Sequence, residues 1–217
     1  LSTKATKIYS GTLNISGGTV TVGTNGTYAI QLGNNTSGVT VNETINLTGG
    51  TLTVAGDIVQ GSVTRTTGTL VLNGGTLDMG GFKLGGSSAA NNLSVITLAS
   101  GTLKNVAEIN NGGAVAKTTA GTLILDGTNA FTAALTISAG TLQVGAGGTT
   151  GSLGSGSVSN GATLAFNRSG SLTVGSLISG AGAMSFSGGG VFSLSGASTF
   201  TGTVTVLSLI HISEPTR

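Results

Sequence analysis

The sequence predicts an all-β protein: a right-handed parallel β-helix, or β-solenoid, of about nine to ten short coils. Three observations predict it. Gly-Thr-Leu or Gly-Thr-Val recurs nine times, beginning at Gly11, Gly18, Gly50, Gly68, Gly75, Gly101, Gly121, Gly140 and Gly202. The residues after each copy alternate apolar and variable with period two. Between these short runs stand Gly-Gly, Asn-Gly or Asp-Gly pairs, in a chain with 40 glycines and one proline.

The spacing points to coils. Gly50 to Gly68 is 18 residues, Gly101 to Gly121 is 20 and Gly121 to Gly140 is 19, although other intervals are 7 or 26. Repetition near twenty residues is the mark of a solenoid, in which each turn buries its apolar face only against its neighbours. Leu13-Asn14-Ile15, Leu52-Thr53-Val54, Leu77-Asp78-Met79, Leu123-Ile124-Leu125 and Leu142-Gln143-Val144 give the strands, with one face in the core. Leu103-Lys104-Asn105 breaks the alternation, and Val71 and Ile124 are apolar where a polar residue is expected. Gly17-Gly18, Asn25-Gly26, Gly49-Gly50, Asn73-Gly74, Asn111-Gly112, Asp126-Gly127 and Asn160-Gly161 supply corners, because these residues tolerate positive φ. Asn-Gly also makes two-residue hairpins, which would build an antiparallel sandwich. Nine copies of one tripeptide favour stacking instead, with Thr and Asn in like-on-like ladders and Leu, Ile and Val filling a narrow interior. Coils spaced at about 4.8 Å would make a rod roughly 45 Å long. Helix is disfavoured because glycine costs about 1 kcal/mol against alanine in a helix interior. The segment 87–100 has no glycine but lacks an i, i+3, i+4 apolar stripe.

Composition narrows the function classes. Only 6% of residues are charged, yet 38% are apolar, which argues for a folded core and against disorder. No apolar run approaches the roughly 18 residues of a membrane-spanning helix. The net charge of +2 comes from only eight Lys and Arg, and Lys4 with Lys7 is the nearest approach to a cluster, so nucleic acid is not an expected partner. There is no Cys, hence no disulfide framework. With no initiator Met and no signal segment, the chain reads as an internal fragment. Two domains follow: residues 1–206 as the solenoid, and residues 207–217 as a non-native, unstructured tail. That tail, LSLIHISEPTR, holds the only His (His211) and the only Pro (Pro215), and it resembles the translation of a transposon-end sequencing adapter.

Candidate chemistry is sparse. The body of the chain offers Glu43, Asp57, Asp78, Glu108 and Asp126. Asp57 and Asp78 lie 21 residues apart, about one coil, and could form an acid/base pair for a glycosidic bond; Lys83 and Lys104 share that spacing. The plainer reading is isolated solvated charges that keep the rod soluble. Without His or Cys before residue 207, there is no Ser-His-Asp triad, no Cys-His pair and no ordinary zinc site. The segment 145–156, GAGGTTGSLGSG, lacks the Gly-Lys-Ser/Thr of a phosphate loop and is expected to be the most flexible loop. The expectation is therefore no catalytic, cofactor-binding or metal-binding residues, no cofactor and no enzymatic activity. Carbohydrate binding would need aromatic platforms, and only Tyr9 and Tyr28 are available without a Trp; Phe131, Phe166 and Phe200 are expected to plug coil corners. Self-association or an unknown surface ligand is the expected partnership, since a weakly charged Thr/Asn-rich face does little to oppose lateral packing.

One stretch carries more than style. Residues 121–145, GTLILDGTNAFTAALTISAGTLQVG, resemble the autotransporter-associated β-strand repeat at Gly121, Leu123, Leu125, Gly127, Asn129, Phe131, Thr132, Ala139, Gly140, Thr141, Leu142, Val144 and Gly145, with Ala133 in place of Gly. A second copy from Gly190 matches at Phe192, Leu194, Gly196, Phe200, Thr201 and Gly202, with Ser198 in place of Asn. The resemblance implies the passenger of a large bacterial surface or secreted protein, with an outer-membrane barrel or other anchor downstream. It implies a stalk or adhesin scaffold whose folding assists export. The alternative is a polysaccharide-acting or carbohydrate-binding β-helix.

Overall fold

A computed structural model describes residues 2–3, 5–33, 40–61 and 66–207. Residues 208–217, most of the adapter-like tail with His211 and Pro215, lie outside the described residues, as does Lys4. Leu207 is the last residue of the strand Val204–Leu207.

Every strand pairing among the described residues is parallel. A ten-stranded sheet runs the length of the stack. One five-stranded side sheet (Thr6–Ile8, Ile30–Leu32, Ile58–Gln60, Lys83–Leu84, Glu108–Ile109) flanks its N-terminal half. Another (Val115–Lys117, Leu135–Ile137, Val158–Asn160, Ile178–Gly180, Thr199–Phe200) flanks its C-terminal half, and Leu172–Val174 pairs with Phe192–Leu194 in a sheet of two. The chain is a parallel β-solenoid, and no hairpin sandwich is present among the described residues.

Its turns can be counted along one inner column of the long sheet: Val20, Leu52, Leu77, Leu103, Leu125, Val144, Phe166, Phe186 and Val206, each paired with the next. That makes about eight complete turns. Ser2–Thr3, paired with Thr21 and Val22, begins one more. The turns are unequal. The column advances 32, 25 and 26 residues in its first three steps and 19 to 22 afterwards. The early strands explain the difference: Gly11–Val22, Val41–Val54 and Thr66–Asp78 each bend through a glycine pair and stay in the sheet on both sides of it.

The side chains follow the predicted period. Leu70, Leu72 and Leu77 are buried while Val71 and Ile124 are only half-buried, so the two apolar exceptions sit on the outer face. Outside, Thr19, Thr51, Thr76 and Thr102 form a ladder, and Asn46 Nδ2 donates to Asn14 Oδ1 of the coil below at 2.9 Å. Phe131 and Phe166 are fully buried and Phe200 half-buried.

The corners explain the repeated tripeptide. Gly50 and Gly140 have φ +66° and +68°, and a Cβ on either would come within 2.5 Å of a carbonyl oxygen of the coil below. Left-handed backbone and close coil spacing therefore demand glycine, and the following Thr-Leu restarts the strand. The Lys104-Asn105 irregularity is also a corner: Asn105 takes φ 55°.

Candidate functional site

The structure sorts the charged residues into columns that the 21-residue spacing did not anticipate. Asp78 is paired in register with Thr53 on one side and Lys104 on the other, and Lys104 with Asp126. Lys104 Nζ lies 3.5 Å from Asp126 Oδ2. Asp57 stands in a different column, where Oδ1 accepts the Lys83 backbone N–H at 2.9 Å, and Lys83 is paired with Glu108. Asp57 and Asp78 are therefore not stacked, nor are Lys83 and Lys104.

Two carboxylates, Asp126 and Glu108, are held as anions. Burial pushes Asp126 up, but the Thr150 hydroxyl (2.6 Å), the Gly127 backbone and Lys104 outweigh it and hold the group below its ordinary value. Glu108 behaves alike: burial raises it, and bonds from the Thr132 hydroxyl (2.7 Å) and the backbone N–H groups of Ile109, Thr132 and Ala133 bring it lower. Asp78 Oδ1 accepts from Gly80 N–H at 3.0 Å and Asn105 Nδ2 at 2.9 Å. These groups cap corners and join one coil to the next. That is structural work; for Asp126 and Glu108 its stability is present above the unfolded carboxyl values and lost on acidification.

Glu43 is the opposite case. It is fully buried between Gly11 and Gly68 in its column, and among the described residues neither carboxylate oxygen has a hydrogen-bond partner. Burial pushes its carboxyl above the ordinary value, against a smaller lowering by its own backbone N–H. A carboxyl that holds its proton more tightly when folded stabilises the fold most below the unfolded value, and that contribution falls as pH rises through it. Glu43→Gln is therefore expected to raise the urea midpoint at pH 7 more than at about pH 4, flattening the part of the pH profile that Glu43 imposes. An equal shift at both pH values would contradict this.

Two further buried cations were not anticipated. Lys117 is 3% exposed and occupies the position equivalent to Ile137 of the next coil. Its ammonium donates to the Thr119 carbonyl, the Thr119 hydroxyl (3.2 Å) and the Ala139 carbonyl (3.5 Å), and burial pushes its pKa down. Arg168, 8% exposed, donates from Nη1 to the Gly151 carbonyl at 2.6 Å and from Nη2 to the Thr149 carbonyl. It ties down the 145–156 loop, whose Leu153 is buried in the core. The Lys117 signal was available, since period two in Val115-Ala116-Lys117 places Lys in the inner phase. Arg168 had none, because its partners are loop carbonyls.

A side chain bonded to the coils on both sides of it lies in the repeat-like stretch. Asn129 Oδ1 accepts the Val106 N–H of the coil below (3.1 Å), while Nδ2 donates to the Asp126 carbonyl (3.1 Å) and to the Ser152 carbonyl of the coil above (3.1 Å). The Asn129 N–H donates to the Ser152 hydroxyl at 2.7 Å, and that hydroxyl returns a bond to the Asn129 carbonyl at 2.8 Å. Phe131, two residues on, is fully buried. The motif's Asn and aromatic residue thus act together as a rivet through three coils.

A family model for the passenger-associated-transport repeat matches residues 115–144 and 187–208, about a quarter of the chain, and the first match contains the rivet. Both segments are similar to the repeat that autotransporter passengers carry. Comparison with curated proteins and with solved structures gives no match. Within the stack, the two copies occupy different phases of the coil: Thr122–Asp126 of the first lies in the long sheet, while Phe192–Leu194 of the second lies in the two-stranded sheet. The repeat therefore encodes coil-to-coil bonding rather than one fixed face. Among the described residues no helix is long and apolar enough to cross a membrane, and no three His, Cys, Asp or Glu residues cluster as metal ligands would.

Proposed function

We propose that this passenger segment is a non-enzymatic stalk or adhesive scaffold displayed at a bacterial surface, and that its coil-by-coil folding outside the membrane assists export. The observation that carries the proposal is the uninterrupted stack of about eight turns with a transport-associated repeat in its C-terminal half. Each turn that forms buries its apolar column on the one before, so folding releases free energy in small steps and opposes backsliding of the chain. Leu123 and Leu142, both 2% exposed and paired in register within the first copy, sit where such a step occurs. Leu123→Ala with Leu142→Ala is expected to slow appearance of the passenger at the cell surface in pulse-chase measurements; unchanged export would refute the export role. Lateral self-association through the Thr and Asn ladders is the expected adhesive mode, tested by clumping of beads coated with the chain. Clumping no greater than for beads coated with an unrelated β-solenoid would remove it.

A second reading, carbohydrate binding, is favoured by one feature. A recess of about 290 Å³ is lined by Tyr28, Gln31, Asp57, Ser87 and Asn91, joining an aromatic face to amide, hydroxyl and carboxylate groups. Glycan-array binding lost in Tyr28→Ala would support it, and hydrolysis of a polysaccharide panel lost in Asp57→Asn would extend it to an enzyme. Arrays and panels silent for the native chain would exclude both.

A further inference from the structure

The recess beside Tyr28 is built by three successive coils. Tyr28 and Gln31 come from one, Asp57 from the next, and Ser87 and Asn91 from the third. Its aromatic wall is fixed in place: Asn25 Oδ1 accepts the N–H groups of Thr27 (2.9 Å) and Tyr28 (3.0 Å), and the Tyr28 carbonyl accepts from the Thr24 hydroxyl at 3.2 Å. Asn91 is fixed too, donating from Nδ2 to the Gln60 carbonyl at 3.1 Å. Other polar groups of the recess are left over. Asp57 Oδ1 is occupied by the Lys83 N–H, but among the described residues Asp57 Oδ2 and the Gln31 amide make no hydrogen bond.

Charge narrows the ligand. The described residues form one ion pair, Lys104 with Asp126, and the buried Lys117 and Arg168 are held by carbonyl oxygens. Of the described cations, that leaves Lys7 and Lys83 with neither a carboxylate nor a carbonyl on their ammonium groups, and both border this recess. Lys7 is paired in register with Gln31, and its Nζ lies 5.9 Å from the centre of the Tyr28 ring. Lys83 Nζ donates to Ser87 Oγ at 3.0 Å. One ammonium therefore stands at the Tyr28 end and one at the Ser87 end, against the single carboxylate of Asp57.

We propose that the recess binds one carboxylated sugar residue of an acidic polysaccharide. The proposal rests on the carbohydrate reading above and names its ligand class. The sugar ring would lie against Tyr28, with hydroxyls donating to Asp57 Oδ2 and accepting from Ser87, whose hydroxyl proton is free while its oxygen accepts from Lys83. The sugar carboxylate would take Lys7 Nζ and Gln31 Nε2, on the side away from Asp57. An ammonium already drawn toward the aromatic ring gains a charge-assisted bond there without giving up a carboxylate. A neutral sugar could use the hydroxyl partners but would leave that ammonium unused, and a small anion without a ring would forgo Tyr28. The volume of about 290 Å³ lies at the small end of ligand pockets, about 300 to 1,000 Å³, which suits a single ring.

The test uses the whole chain, isotope-labelled and titrated with trigalacturonate, and follows the side-chain amide signals of Gln31 and the backbone signal of Ser87. Saturable shifts are expected at both. The fully methyl-esterified trisaccharide keeps the rings without the charge and is expected to bind about tenfold or more weakly. Citrate at the same concentration is expected not to displace the acid. Lys7→Gln, at an exposed side chain, is expected to keep the wild-type melting temperature and to weaken binding of the acid by about tenfold while leaving the ester unchanged. Lys83→Gln is the second variant, with a smaller loss in the same direction. Equal affinity for acid and ester would overturn the proposal and leave the carbohydrate reading standing, whereas binding of neither would end both. Displacement by citrate, or binding of the acid undiminished in both lysine variants, would also overturn it.

Discussion

Phe166→Ala is expected to lower the stability of the C-terminal turns by about 3 to 5 kcal/mol, the usual cost of emptying a buried aromatic site. The side chain is fully buried, and its ring stacks on Phe186 at 5.1 Å with the planes 7° apart and tilts against Phe192 at 5.8 Å. It is also one link of the inner column, paired in register with Val144 below and Phe186 above. A void here cannot be closed by a small shift of one neighbour, because both neighbours are held by strand bonds of their own coils. Solenoid stability is a sum of coil terms and nearest-neighbour interfaces, so the damage should be local. Urea unfolding is expected to split, with turns near Phe166 exposing their amides at lower denaturant than Leu52 or Leu77. Exchange measured residue by residue would show this. Uniform weakening of all eight turns, or a loss under about 1 kcal/mol, would contradict the independence of the coils. Tyr9→Ala, at a side chain 58% exposed, is the control and should change little.

The reasons for what the sequence revealed, and for what it hid, are physical. Leu52, Leu77 and Leu103 were legible as one column because each follows Gly-Thr and a strand's period of two turns it inward, but the same tripeptide would set Leu123 on Leu103, where the structure pairs Leu125. Variable loops hid the charge pairs. Reading Asp57 against Asp78 assumed a coil of about twenty residues, but Asp78 is followed in its column by Lys104, 26 residues on, and that by Asp126, 22 further. Coil length depends on how many residues the corners hold, and nothing in the Gly-Thr-Leu pattern reports it. The burial of Glu43 was hidden for a related reason. In the chain it reads as one more polar residue before Thr44, and only the stack reveals Gly11 and Gly68 on either side of it. The corner at Asn129 was visible as a motif, while its three-coil bonding required the coordinates.

That bonding makes Asn129 the second site where a large effect is expected. Asn129→Ala leaves the Val106 N–H and the carbonyls of Asp126 and Ser152 without the amide, in a corner where the residue itself is 4% exposed. Each buried group left unsatisfied costs about 1 to 3 kcal/mol, so a total loss of about 3 kcal/mol or more is expected, although water entering the outer part of the corner would reduce it. The second copy shows which bond matters most. Its Ser198, at the motif position of Asn129, accepts the Ile178 N–H of the coil below at 3.2 Å through its hydroxyl. Both copies thus keep an acceptor for an N–H one coil down, even though they lie in different phases of the stack. An N–H left bare is the costlier orphan, since a carbonyl with two lone pairs tolerates partial satisfaction. Asn129→Ser should therefore recover part of what Asn129→Ala loses. Asn129→Asp should recover little, because it keeps the acceptor but turns a second carboxylate oxygen toward the two carbonyls. The order Asn, Ser, Asp, Ala or Asn, Ser, Ala, Asp in urea midpoints at pH 7 agrees with a rivet built around one downward acceptor. If Ser ranked no better than Ala, the aromatic residue at Phe131 rather than the amide would be what fixes the corner.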